Sequence, residues 1–387
     1  MRQSNRRRWP DGQWKLISSC LQLLLVLVTL TSAIASSAEA TAKTTATTQA
    51  GAAATEASNF AWHSPACRGK RTRAGAQAAI PGASVFVDAA QARNALTTSG
   101  TGRLEINSLQ GKPLTVHVFR PSRFNAQTGR IWFVMHGTGR DATRYLQQAA
   151  PLAERYQVLA LALEFSRKDY PSGDAYTLGV VAEGRADALA AAEGRWRSPA
   201  TMPYAEIEQT FSAVRATLQS HQPGYFIFGH SAGAQFVHRL LTFAQCPRVL
   251  GAVAANAGWY TLPTTDEVMP PFPYSLRGTP HEFNDPRPVL AAPLTILLGT
   301  RDTRNSEGDP HLRASDGAIV QGRNRLERGR FYYQHGLQAA RHENVRLGWK
   351  LRLAEGAGHE VAEVIAPAAQ LMFAPVTEMM RGPQHRP

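Results

Sequence analysis

Five short runs of apolar residues recur along the chain, each closed by a glycine or a polar turn. Ile131-Trp132-Phe133-Val134-Met135, Val158 to Leu163, Tyr225 to Phe228, Leu250 to Ala254 and Leu294 to Leu298 are apolar at nearly every position. Runs of this length without a polar face predict strands buried on both sides, as in a parallel sheet covered by helices. Ahead of them, Leu104 to Leu109 and Leu114 to Phe119 alternate apolar and polar residues around Gly111-Lys112, which predicts an antiparallel hairpin. Between the runs the spacing becomes helical. Ile207, Phe211, Val214 and Leu218 fall at i, i+4, i+7 and i+11, and Phe236, Leu240, Leu241 and Phe243 make a similar stripe. Val345 to Leu353 predicts a late strand and Val361 to Phe373 a closing helix. Strands alternating with helices predict an α/β fold, a mostly parallel doubly wound sheet with an N-terminal antiparallel hairpin, whose reactive groups gather at the carboxyl ends of the strands. The Pro-rich stretch from Pro263 to Pro288 lies between two strands and is read as a small cap.

The first hundred residues follow different patterns. Arg2, Arg6, Arg7, Arg8 and Lys15 precede the apolar run Cys20 to Leu30, and small residues follow at Ala33, Ala35, Ala38 and Ala40. That order predicts an export signal over 1–40, and the apolar run is shorter than the ~20 residues a spanning helix needs. No stable membrane anchor is expected, and the protein is placed in the periplasm or outside the cell. Residues 41–59 are Ala, Thr, Ser, Gly and Gln almost throughout and read as a spacer. Residues 60–103 read as an N-terminal extension and 104–387 as the main domain. Removing 1–40 also removes Cys20. Cys67 and Cys246 then remain, either as an intramolecular disulfide or as two separate thiols.

Charge changes the picture only slightly. The chain carries 42 Lys+Arg against 29 Asp+Glu, a formal +13, with 36 of the basic residues arginine. Loss of residues 1–40 would take away five basic and two acidic groups and leave +10. The basic residues are dispersed and no nucleic-acid-binding module accompanies them, so no nucleic-acid partner is expected.

The chemistry sits at the predicted strand ends. Tyr225-Phe226-Ile227-Phe228 runs into Gly229-His230-Ser231-Ala232-Gly233 and then into a helical pattern. A G-x-S-x-G turn between strand and helix presents its serine as a nucleophile, and the glycines leave room for the sharp turn. Serine needs a base, and the base needs an acid to orient it. Asp302 follows the run Leu294 to Leu298 through Gly299-Thr300-Arg301 and is the expected acid, ahead of Asp309 and Asp316 on the same loop. His359, in Glu355-Gly356-Ala357-Gly358-His359-Glu360, is the expected base, ahead of His311, His335 and His342; His230 is expected to shape the site. Two N–H groups should bind the developing oxyanion. These are Ala232, just after the nucleophile, and Thr138 in His136-Gly137-Thr138-Gly139-Arg140, with Gly139 as the alternative. Glu164, Phe165, Trp259 and Tyr260 follow strand ends and are expected to line the cleft. No metal or cofactor is called for, because the three histidines outside the site lack zinc-ligand spacing.

These pieces, taken over Leu104 to Phe373, resemble the α/β-hydrolase superfamily. Within it, His136 to Gly139, Ala232, Asn256-Ala257-Gly258-Trp259-Tyr260, Gly299 to Asp302 and Gln321-Gly322-Arg323-Asn324-Arg325 resemble the bacterial poly(3-hydroxybutyrate) depolymerase-like esterases. The resemblance implies a secreted serine hydrolase acting on small-molecule or oligomeric carboxylic esters. A secreted peptidase of the same fold is the main alternative, and a noncatalytic binding protein that has kept the fold is another.

Overall fold

The computed structural model describes residues 85–178, 196–244 and 247–374, all within one compact unit. The export signal, the spacer, residues 60–84 of the extension, Cys67 and Cys246 lie outside the described residues, and with them the expected disulfide. Eight strands are described: β1 (Gly100–Asn107), β2 (Pro113–Arg120), β3 (Ile131–Met135), β4 (Leu159–Leu163), β5 (Tyr225–His230), β6 (Val249–Ala255), β7 (Leu294–Gly299) and β8 (Lys350–Ala354). They form one sheet in the order β1-β2-β4-β3-β5-β6-β7-β8. β1 pairs antiparallel with β2 and β2 antiparallel with β4; every other pairing is parallel. The strand order reverses around β3, β4 and β5, and such a switch point opens a crevice at the carboxyl edge.

The alternation of side chains along the strands divides the core into two layers. Trp132, Val134, Ala160, Ala162, Phe228, Val253 and Leu297 face α2 (Ala142–Tyr156) and α6 (Val361–Phe373). Ile131, Phe133, Met135, Leu161, Ile227, Ala254 and Ile296 face the opposite layer. That layer holds α1 (Ala89–Thr97), α3 (Tyr204–Thr217), α4 (Ala232–Phe243) and α5 (Arg325–His342). Each of these strand residues is almost wholly buried, and such burial contributes roughly 1.5–3 kcal/mol for each large apolar side chain. This two-sided burial explains why β3 to β7 read as unbroken apolar runs.

Two expectations are corrected. β1 begins at Gly100, ahead of the apolar alternation, and its first residues pair with Arg120 to Val118. The late strand starts at Lys350, so Val345 to Trp349 are not strand. The Val345 N–H closes α5 onto the Ala340 carbonyl, and Trp349 buries its ring on Tyr332, centroids 4.5 Å apart, while its indole N–H donates to the Val289 carbonyl. Their apolar character is spent on loop packing. The Pro-rich segment fixes Phe272 and Phe283 against Phe243 and Trp196. Phe243 is the last residue of α4, roughly 18 Å along the helix from its start, so these anchors lie at the far end of the helix from Ser231.

Candidate active site

Ser231 joins β5 to α4 with φ 56° and ψ −114°, a conformation that side chains other than glycine rarely adopt. The turn is tight enough to demand both flanking glycines. A Cβ on Gly229 would stand 2.1 Å from the Gly233 carbonyl oxygen, and one on Gly233 would stand 2.2 Å from that of Met135. Ala232 is the first helical residue, so its N–H has no acceptor within the helix and sits at the positive end of the helix dipole.

His359, in the loop between β8 and α6, stands between the other two expected residues. Its Nε2 is 3.2 Å from Ser231 Oγ, and its Nδ1 is 2.7 Å from Asp302 Oδ2. The carboxylate can only accept, so Nδ1 carries the proton and Nε2 is left to accept from the serine hydroxyl. The imidazole keeps a third of its surface exposed, while the Asp302 side chain is 2% exposed. The two loops bearing acid and base are stitched together. Arg301 N–H bonds Ala357 O at 2.8 Å, Gly356 N–H bonds Thr300 Oγ1 at 2.9 Å, and Asn256, at φ 51°, reaches both loops. Its Oδ1 accepts from the Gly299 N–H at 2.8 Å and its Nδ2 donates to Gly358 O at 2.9 Å.

The loop after β3 lies beside the serine, since a Cβ on Gly137 would come within 3.7 Å of the Ser231 Cβ. His136 is fully buried and its Nε2 accepts from the Phe165 N–H at 3.2 Å. Its proton is therefore on Nδ1, which donates to the Gly137 carbonyl at 3.1 Å; the Arg140 N–H donates to the same oxygen at 3.1 Å. With that carbonyl held by two donors, the planar trans peptide turns the Thr138 N–H to the opposite side. Burial pushes the His136 imidazole down to about 4, so it stays neutral.

A scan against protein-family models found no match, and neither did a search of curated proteins. Solved structures do match. Poly(aspartic acid) hydrolase-1 from Sphingomonas sp. KT-1 is 37% identical over 71% of this chain and 98% of that one, with a TM-score of 0.64. The chain belongs to the α/β-hydrolase superfamily. A poly(3-hydroxybutyrate) depolymerase, LpqC from Bordetella parapertussis, is 28% identical over 75% of this chain and 97% of that one, with a TM-score of 0.65. The chain is thus a serine hydrolase with poly(3-hydroxybutyrate) depolymerase-like relatives.

Around the elbow of this α/β-hydrolase, His230 is buried and its ring centroid lies 4.8 Å from that of His359. Burial, followed by the neighbouring His359, pushes His230 well below the usual histidine range. The other histidines stand apart: His311 is exposed, His342 bonds Glu343, and His335 packs on Phe331. Asp316 opens a short helix, Asp316–Ile319, while Asp309 bonds Arg325 at 2.6 Å. Among the described residues no group of three or more His, Cys, Asp or Glu side chains is gathered to hold a metal ion.

Of the four residues expected to line the cleft, the three aromatic ones are buried. Phe165 is fully buried against Tyr170, Tyr176 and Phe236. Tyr260 is fully buried and stacked on Tyr332 at 4.3 Å. Trp259 is 3% exposed, with the Arg239 and Arg313 guanidinium groups 4.1 and 4.6 Å from its ring. The Glu164 carboxylate is bonded to His117 of β2 at 2.9 Å. Aromatic side chains just past a strand end still fall within reach of the core, and burial there outweighs display to solvent. Sequence reasoning also missed the roles of Tyr145, Asn256 and Arg325. Only Asn256 carries a local signal, being a polar residue directly after a buried strand and of a type that tolerates positive φ.

Proposed function

We propose that this serine hydrolase is exported and cleaves carboxylic esters of oligomeric or polymeric chains through an acyl-enzyme. The observation that carries the reading is the imidazole of His359 standing 2.7 Å from Asp302 and 3.2 Å from Ser231. Ser231 attacks the acyl carbon as Nε2 of His359 takes its proton, and Asp302 holds the resulting imidazolium. The N–H groups of Ala232 and Thr138 take up the oxyanion, and His359 returns the proton to the leaving alcohol. Water, activated by the same imidazole, then frees the acyl group. The likeness to a poly(3-hydroxybutyrate) depolymerase supports an ester substrate. The charged, apolar and small-residue order of residues 1–40 supports export.

A second reading has its own support. The 37% identical relative is a poly(aspartic acid) hydrolase, and the arginine-rich charge of this chain suits a polyanion. The triad does not discriminate between ester and amide. Turnover of p-nitrophenyl esters, oligo(3-hydroxybutyrate) and poly(aspartic acid) by the purified protein, with Ser231→Ala as control, separates the readings. The ester reading expects release of 3-hydroxybutyrate units and fails if only poly(aspartic acid) is cut. Fractionation of the producing cells tests export.

A further inference from the structure

Behind the expected triad acid lies a second charged layer. Asp302 presents Oδ2 to His359 and turns Oδ1 toward Nη1 of Arg325, 3.5 Å away. The same Nη1 is bound far more closely by Asp309, 2.6 Å from Oδ2. The Arg325 side chain is 2% exposed and that of Asp309 14%. Arg325 is the first residue of α5, whose cap Asn324 accepts from the Glu327 N–H. The Leu326 N–H returns to the Asp302 carbonyl, so the helix start is tied to the acid's own backbone. Burial works to raise the Asp309 carboxyl, but the bond to Arg325 and its charge outweigh this and hold it below the usual range.

We propose that Arg325 and Asp309 are positioning residues for the base. Asp309 grips the guanidinium and holds it back from Asp302, so two carboxylates and one guanidinium leave one net negative charge behind the imidazole. The inference rests on the triad reading above. Its logic is electrostatic. A guanidinium in full contact with Asp302 would neutralise the carboxylate that the imidazolium needs, whereas an isolated pair of buried carboxylates would repel each other and overstabilise the imidazolium. Splitting the guanidinium unequally avoids both.

The other groups facing this cluster are His230 from β5, with Tyr145 of α2 behind it, and Tyr260, whose hydroxyl is raised by burial and then by the Asp302 charge. Arg144 pairs with Glu360 at 3.3 Å and Arg301 with Glu363 at 3.9 Å on the outer side of the loop.

The test is the pH profile of kcat/KM for a p-nitrophenyl ester, set beside the pH dependence of fluorophosphonate labelling. Asp309→Asn removes one negative charge and moves the acidic limb to lower pH by about 0.5–1 unit. Arg325→Gln removes the positive charge and moves the limb up by a similar amount. The double variant restores a net charge of minus one and returns the limb close to that of the parent, and Arg325→Lys leaves it near the parent's. If Arg325→Gln does not fold, the near-isosteric Asp309→Asn still decides by the sign of its shift. A purely structural role would lower kcat/KM while leaving the limb in place, and limbs moving in the same direction for both single variants would equally overturn the inference. A parent that labels at Ser231 while its variants show no opposed shifts contradicts this inference alone. A parent that neither labels nor turns over ester overturns the triad reading and this inference with it.

Discussion

The hydroxyl of Tyr145 lies 2.8 Å from Nδ1 of His230. It also packs against Gly137, where an added Cβ would stand 2.6 Å from it, so a single side chain of α2 touches both the loop after β3 and the nucleophile elbow. Burial raises the Tyr145 hydroxyl and lowers His230, so the pair stays neutral over the working range.

Removing that hydroxyl should loosen two parts of the site at once. Tyr145→Phe is expected to lower kcat/KM about 3- to 10-fold and to destabilise the fold by about 1 kcal/mol, the usual net worth of one buried hydrogen bond. Steady-state kinetics and thermal unfolding check both. Unchanged kinetics would mean that the link does not position the elbow.

Asn256 should matter more, because it satisfies backbone groups on both loops that bear the acid and the base. Asn256→Ala leaves the Gly299 N–H unpaired in a buried setting and places alanine at φ 51°. The expected cost is about 2–3 kcal/mol in stability, with a fall in kcat of roughly 10- to 100-fold from misplacement of His359. A kcat equal to the parent's would show that the loops are held without it.

The elbow glycines give a stricter test. Gly233→Ala drives a methyl group into the Met135 carbonyl, a rigid backbone neighbour. Destabilisation of about 2–3 kcal/mol and loss of serine labelling are expected. Chemical denaturation and probe labelling report the two effects separately, and a stable, fully labelled variant would contradict the geometry.

Glu206 in α3 yields a pH prediction independent of catalysis. It is fully buried, its Oε1 accepts from the Leu109 N–H at 2.8 Å, and Oε2 has no hydrogen-bond partner. Burial raises its carboxyl to about 7. Between the unfolded carboxyl's pKa and 7 the native state binds the extra proton, so its contribution is full at low pH and is lost as pH rises through 7. The stability of Glu206→Gln relative to the parent should therefore improve by roughly 2–3 kcal/mol from pH 5 to pH 8. Urea unfolding at the two values measures it, and no change with pH would place the carboxylate in contact with water.

What the chain disclosed about itself follows from what each signal depends on. The buried strands were legible because burial on both faces leaves continuous apolar runs; Ser231 and Asp302 follow such runs at the reactive edge, whereas His359 follows the partly exposed strand β8 and was singled out by its glycine-flanked loop. Phe165, Tyr260 and Trp259 were misread because an aromatic residue beyond a strand end looks the same whether it meets a ligand or a neighbouring helix. The Phe236 and Tyr332 rings that meet Phe165 and Tyr260 come from distant segments. Arg325 was quoted only within a motif, and its tie to Asp302 spans 23 positions with no local pattern to mark it.

Covalent labelling of the intact protein with a fluorophosphonate, mapped by peptide mass, tests Ser231 as the nucleophile. One adduct, on Ser231, is expected. In Ser231→Ala that adduct should disappear and ester turnover should fall by roughly 10⁴-fold or more, with the circular dichroism spectrum unchanged. An adduct on another residue, or ester turnover that survives Ser231→Ala, would contradict that role.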